Sequence, residues 1–149
     1  MIVVEPSDPR RPQAAELLRR SHALMEKLFP PEDNFFLDIE GLAAPDIRFF
    51  AAREGETLVG TAALAIKNGF GEVKSMFVTD EARGKGVGAA LMRQIEDQAR
   101  AEGLSVLKLE TGDTLIAAQK LYSRHGFVFC DPFPPYQDAK TSRFMEKTL

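Results

Sequence analysis

The chain has 149 residues, 44% of them hydrophobic and 28% charged, with a formal net charge of −3 at neutral pH. That size and balance fit one soluble globular domain over residues 1–149 with its own core, and they exclude the basic stripe of a nucleic-acid binder. No apolar run approaches the ~20 residues of a membrane span, and the lone Cys130 allows no internal disulfide, so a cytoplasmic protein that binds neither nucleic acid nor membrane is expected.

Met1–Glu5 reads as a first strand, stopped by Pro6, and not as a signal peptide. From Pro9 onward Ala14, Leu17, Leu18, Leu24, Met25 and Leu28 recur at helical spacing with Ser21 on the same line, and Pro30-Pro31 closes the helix. His22 is expected off that stripe, at the surface. Phe35, Phe36, Leu37 and Ile39 follow in a polar stretch that reads as a short helix or loop. Ile47–Arg53 and Thr57–Ile66 form a hairpin about Glu54-Gly55-Glu56, and Asn68–Gly71 turns the chain into a central strand, Glu72–Val78. A long helix is predicted from Gly86 to Glu102, with Gly103 after it. Val106–Glu110 is a strand, and Thr114 or Asp113 is expected to cap a helix that carries Tyr122 and ends at Gly126. Phe127–Cys130 and Ser142–Lys147 are the last strands, separated by a Pro/Phe-rich loop. The order predicts an α/β fold: a single mixed, mostly antiparallel sheet with helices on both faces.

The turn after the central strand carries the chemistry. Gly84, Gly86 and Gly88 alternate with other residues and run into a helix, with Arg83 and Lys85 beside them. Strand, glycine-rich turn and helix start make an anion site, because the glycines permit close approach and the first-turn amides lie at the positive end of the helix dipole. A Walker A loop fails on spacing, since Gly86 follows Lys85 where Ser or Thr is needed. A dinucleotide fingerprint is formally met by Gly84, Gly86 and Ala89, but Thr79–Arg83 separate the strand from its first glycine. That match would make the chain a nucleotide-dependent oxidoreductase.

A third pattern fits better. Arg83-x-x-Gly86-x-Gly88, after a strand ending Met76-Phe77-Val78, resembles the acetyl-CoA pyrophosphate loop of the GNAT N-acetyltransferases. Ala118-x-x-Leu121-Tyr122-x-x-x-Gly126-Phe127 resembles the family's second hallmark. The resemblance covers essentially the whole chain and implies the GNAT-like acyl-CoA N-acyltransferase fold, with acetyl-CoA as acetyl donor. It implies that Arg83, Gly84, Lys85, Gly86, Val87, Gly88 and Ala89 hold the pyrophosphate. It further implies that Met76, Phe77 and Val78 present a free strand edge to pantetheine, with the Val78 amide facing the thioester oxygen. Where the family commonly has Asn, this chain has Leu115.

The resemblance also implies roles at the reaction centre. Tyr122 takes the place of the acid that protonates the departing thiolate. Glu72 stands where some members carry a basic glutamate; strand alternation puts it on one face with Lys74 and Met76. Glu110 is the second candidate, and a water relay the third. Phe35, Phe36 and Tyr136 are expected to wall the acceptor pocket with Glu110, and Phe133, Pro134 and Pro135 to add to that wall. Eight carboxylates, Glu26, Glu32, Asp33, Asp38, Glu40, Asp46, Glu54 and Glu56, against Lys27, Arg48 and Arg53, favour a small amine of positive or neutral charge. The alternative is an acyl-CoA sensor of the same fold without turnover. His125 is expected to act on a helix C-terminus and Cys130 to be structural; no metal site is expected, and a homodimer is left open.

Overall fold

The computed structural model describes residues 1–137 and 140–149. The elements run β1 (Ile2–Pro6), α1 (Pro12–Leu28), a 3₁₀ turn (Pro31–Asp33), α2 (Ile39–Leu42), β2 (Ile47–Glu54), β3 (Thr57–Ile66), β4 (Gly71–Val78), a second 3₁₀ turn (Asp80–Ala82), α3 (Val87–Ala101), β5 (Val106–Gly112), α4 (Ile116–Arg124), β6 (Val128–Cys130) and β7 (Ser142–Thr148). They form one seven-stranded sheet in the order β1-β2-β3-β4-β5-β7-β6. Every neighbouring pair is antiparallel except β4 and β5.

Both faces are covered. Phe49 and Ala51 of β2 and Ala63 of β3 pack under Ala14, Leu17 and Leu18 of α1 and Leu42 of α2. Phe50, Ala52, Ala62 and Leu64, on the opposite face, pack under Leu91, Met92, Ile95 and Ala99 of α3. Each fully buried large side chain among these contributes about 1.5–3 kcal/mol of transfer free energy. Pro12 opens α1 at a position whose amide needs no partner, and Phe29 leaves it in an extended conformation before the two prolines.

Two features of the sheet position the site. The first is a splay. β4 and β5 pair only at Gly71↔Leu107 and Glu72↔Lys108, so β4 from Val73 onward has no neighbour on that side, while β5 continues with β7 to Gly112. The second is a bulge in β4. Its register with β3 shifts between Thr61 and Ala63, and Ser75 sits at φ +53°, a left-handed conformation that a non-glycine residue adopts at a cost. The bulge overturns simple alternation: Phe77 packs on the α1 side, and Met76 and Val78 pack on the α3 side. Met76 therefore does not share the face of Glu72 and Lys74.

Two local details also bear on the site, and the second differs from expectation. The stretch Asn34–Leu37 is irregular, and only the single turn Ile39–Leu42 is helical, capped by the Asp38 carboxylate accepting from the Gly41 amide at 2.7 Å. Neither Thr114 nor Asp113 caps α4; Leu115 precedes it without a side-chain cap. The Asp113 amide is used elsewhere, donating to the Thr141 carbonyl at 2.8 Å, and Gln119 ties the turn by donating to the Gly112 and Asp113 carbonyls.

Candidate active site

At the mouth of the splay, β4 passes through its 3₁₀ turn into the glycine loop. Gly84 and Gly86 have φ of +79° and +81°, and α3 begins directly after Gly86. A Cβ at either glycine would meet no protein atom, so this side of the loop is open. The Ala90 amide donates to the Gly86 carbonyl, and the amides of Val87, Gly88 and Ala89, in the first turn, have no acceptor within the helix. Open backbone, unmatched donors and the dipole suit a pyrophosphate group. The expected cations are both paired: Arg83 with Asp80 at 3.1 Å and Lys85 with Glu54 at 2.9 Å. Both pairs are solvent-exposed and worth little, so either cation is free to turn to a phosphate.

Behind the loop lies an inner cavity of about 140 Å³, bounded by α1, β4, β5 and α4. Tyr122, Glu110, Glu72, Phe35 and Phe36 are among the residues that line it. Tyr122 is buried against Phe127, and burial, aided by the Glu110 charge, pushes its phenol well above the usual tyrosine range. The Glu110 carboxyl is raised chiefly by burial, opposed by the hydrogen bond that Ser142 Oγ donates at 2.8 Å and by Lys74.

Glu72 is in a different situation. It is 1% exposed; Lys74 Nζ lies 3.2 Å from its carboxylate, and the Tyr136 hydroxyl donates to the same oxygen. Lys74 also donates to the Tyr136 oxygen at 2.7 Å and to the Phe35 carbonyl at 3.3 Å. The Thr141 hydroxyl donates to Asp33 at 2.7 Å, and Phe35 meets Tyr136 edge-on. These contacts clasp the Phe35–Phe36 stretch to the C-terminal loop. On its outer side is a second, more open cavity of about 600 Å³, lined by Phe35, Phe36, Tyr136, Glu72, Lys74 and Asp33, among others. Phe133 is no wall: it is 3% exposed and packs edge-on against Phe70, Tyr136 and Phe144.

The structure adds residues that sequence reasoning passed over. His22 is not a surface residue; its ring stacks on Phe36 at 4.1 Å, it lines the inner cavity, and burial lowers its pKa. The signal was present, since Leu18, His22, Met25 and Phe29 are spaced four, three and four apart and so share one helical face. Ser75 and Ser142 had no comparable pattern, whereas Lys74 stands beside Glu72 as strand alternation placed it. His125 follows α4 as expected and lies 3.8 Å from Glu96. Among the described residues no cluster of His, Cys, Asp and Glu could hold a metal, and no helix is long and apolar enough to cross a membrane.

Comparison with known proteins agrees with this geometry. Residues 12–127 match the model of the acetyltransferase (GNAT) family. An IAA acetyltransferase of Azospirillum brasilense is 43% identical over 99% of this chain and 98% of its own length. The N-acetyltransferase YsnE of Bacillus subtilis is 36% identical over 92% of this chain and 93% of its own. Among solved structures, an acyl-CoA N-acyltransferase fold from Klebsiella pneumoniae superposes with a TM-score of 0.84 at 30% identity, covering 100% of this chain and 98% of that one. An N-acetyltransferase from Thermoplasma acidophilum, solved in complex with coenzyme A, shares the fold at a TM-score of 0.77 and 18% identity, covering 100% and 99%. With a family model over most of its length and full-length relatives well above 30% identity, this chain belongs to the GNAT family of N-acetyltransferases.

Proposed function

We propose that the chain, folded as a single domain, transfers the acetyl group of acetyl-CoA to the primary amine of a small molecule held between the two cavities. The observation that carries this reading is the splay of β4 from β5. It leads from a glycine loop suited to a pyrophosphate to an inner cavity whose lining includes Tyr122 and Glu110. Acetyl-CoA supplies the activated acetyl group as a thioester. On the protein side, the amides from Arg83 to Ala89 bind the pyrophosphate, and the unpaired edge of Met76–Val78 orients the pantetheine arm. The Val78 amide faces the thioester oxygen and stabilises charge developing there.

The amine must lose a proton before its lone pair can attack. Glu110 is the better placed base in this reading, because burial strengthens it as a proton acceptor and a single side-chain hydrogen bond holds it. Glu72, saturated by Lys74 and Tyr136, serves instead to hold the clasp and to offer negative potential to an incoming ammonium. Tyr122, kept protonated by burial, delivers a proton to the departing thiolate. The aromatic walls Phe35, Phe36 and Tyr136 select a compact, apolar-bodied amine, and the clasp over the cavity disfavours a lysine on a folded protein. The names of the relatives support acetyl transfer; the small acceptor of one, IAA, belongs to that protein.

The test is thiol release from acetyl-CoA across a panel of amines and amino acids. Turnover with small amines supports the reading. Tight acetyl-CoA binding with no thiol release from any acceptor would replace it by the non-catalytic sensor.

A further inference from the structure

Two carboxyls line the inner cavity from neighbouring strands, Glu72 of β4 and Glu110 of β5, and different chemistry holds them. Glu72 meets a cation, Lys74, as well as the Tyr136 hydroxyl. Glu110 meets a neutral donor. Ser142, the first residue of β7, donates through Oγ to its Oε2 at 2.8 Å, and among the described residues its Oε1 accepts no hydrogen bond. The register explains why that donor is there. Glu110 pairs with Phe144 and Gly112 with Ser142, so Glu110 and Ser142 lie diagonally across the β5–β7 ladder on one face of the sheet. The serine is itself fixed. It is 4% exposed, and the residue before it is tied twice: the Thr141 carbonyl accepts from the Asp113 amide, and its hydroxyl donates to Asp33.

Resting on the reading of Glu110 as the base, we propose that Ser142 is a positioning residue for acetyl transfer: its hydroxyl holds one oxygen of Glu110 against β7 and leaves the other to take the proton of the acceptor amine. A serine hydroxyl has a single proton to give, so it engages one carboxylate oxygen and cannot chelate both, as a guanidinium can. Being neutral, it fixes the carboxylate without the full charge of a cation, which would draw its proton affinity down further. The other ionisable groups about Glu110 are Lys74 and Glu72 of β4, Asp33 of the first 3₁₀ turn and Tyr122 of α4, with His22 of α1 lining the same cavity. Burial favours the neutral acid most strongly. Against it, the direct bond from Ser142 and then Lys74 favour the carboxylate, while Glu72 and Asp33 side with burial. Ser142 thus fixes the geometry of the base and restrains its affinity for the proton at the same atom.

The experiment follows the Glu110 carboxyl directly, by ¹³C NMR of protein labelled at glutamate Cδ, with its signal assigned by the loss in Glu110→Gln. Ser142→Ala should raise the titration midpoint by about one to two pH units, the worth of one hydrogen bond to a charged group. Ser142→Thr keeps the hydroxyl and should restore the wild-type midpoint; Ser142→Cys, a weak donor, should fall between. Thiol release is then measured against pH with the fastest amine of the panel. The acid limb of kcat/KM should move in Ser142→Ala by the same amount, with the plateau above it within about threefold of wild type and the KM for acetyl-CoA unchanged. A merely structural serine would lower the plateau and leave both midpoints in place. An NMR midpoint that Ser142→Ala and Ser142→Cys leave unmoved overturns the role of Ser142 and leaves Glu110 standing as the base. An NMR midpoint that moves without the limb, a limb that survives Glu110→Gln, or no thiol release with any amine overturns Glu110 as the base and this role with it.

Discussion

Glu110 illustrates how one buried carboxyl couples stability to activity. Its pKa is raised in the folded chain, chiefly by burial, so the fold binds this proton more tightly than the unfolded state does. The favourable contribution is therefore present in acid and lost as pH rises through the folded pKa, and at neutral pH the charged group is a burden. Glu110→Gln should accordingly keep or raise the melting temperature at neutral pH. It should also lower kcat/KM by roughly 10²–10⁴, the range of a lost general base. In the wild type the acid limb of the pH–kcat/KM profile should lie above the ordinary carboxylate range, and the substitution should remove it. Tyr122 gives the complementary case. Because burial keeps the phenol protonated through the neutral range, Tyr122→Phe should leave acetyl-CoA affinity intact and reduce kcat by roughly 10²–10⁴. Loss confined to acetyl-CoA affinity would reassign the hydroxyl to binding.

At the scale of elements, the glycine loop and the polar joint behind α3 make separate demands. Gly86 adopts φ +81° with open space around its missing Cβ. Gly86→Val is strained through its backbone, and not by contact within the free protein, so it should cost about 1–3 kcal/mol of stability. It should also abolish stabilisation by acetyl-CoA, measured by thermal denaturation, because the side chain fills the space a pyrophosphate needs. Glu96 on α3 is buried; it meets Lys147 of β7 at 2.8 Å, Arg100 at 3.6 Å and His125 after α4 at 3.8 Å. Glu96→Ala leaves Lys147 without this partner, and chemical denaturation should show a loss on the order of 3 kcal/mol. Elements such as these were legible in the sequence, because Val87, Leu91, Ile95 and Ala99 repeat at helical spacing and the glycines mark the turns. The bulge in β4 was not, since Ser75 has no intrinsic preference for φ +53° and is held there by the pairing of β3 with β4. The inward face of His22 was readable from the spacing of Leu18, His22, Met25 and Phe29, but its stacking partner Phe36 was not, since that contact comes from a segment outside the helix. The partner of Lys85 was hidden for the same reason: Glu54 comes from the far end of β2.

On the scale of the whole molecule, the sheet is two halves joined at a narrow hinge. β1 to β4 form one half and β5, β7 and β6 the other, and the ladder between them ends after Gly71↔Leu107 and Glu72↔Lys108. Covalent continuity through α3 and the packing of Leu107, Leu109 and Met145 into the core that Phe50, Leu64 and Leu91 share hold the halves together beyond that hinge. A ligand that lies along the free edge of β4 and reaches the cavity wall at β5 and α4 adds contacts to both halves at once, and only in the native arrangement. Any such ligand stabilises the fold by mass action, by about 2.7 kcal/mol at a hundredfold excess over its Kd. For a domain of this length that corresponds to a rise of roughly 5–10 °C in melting temperature. Acetyl-CoA should produce this shift and NAD should not, since the free edge of β4 can pair with the amides of a pantetheine arm, which NAD lacks. Hydrogen exchange provides the spatial check: with acetyl-CoA bound, protection should increase in Met76–Val78 and in the amides from Gly84 to Ala89, with β1 unchanged. A shift produced equally by NAD, or protection gained only at the glycine loop, would place the ligand outside the splay and remove the basis for acetyl transfer in the inner cavity.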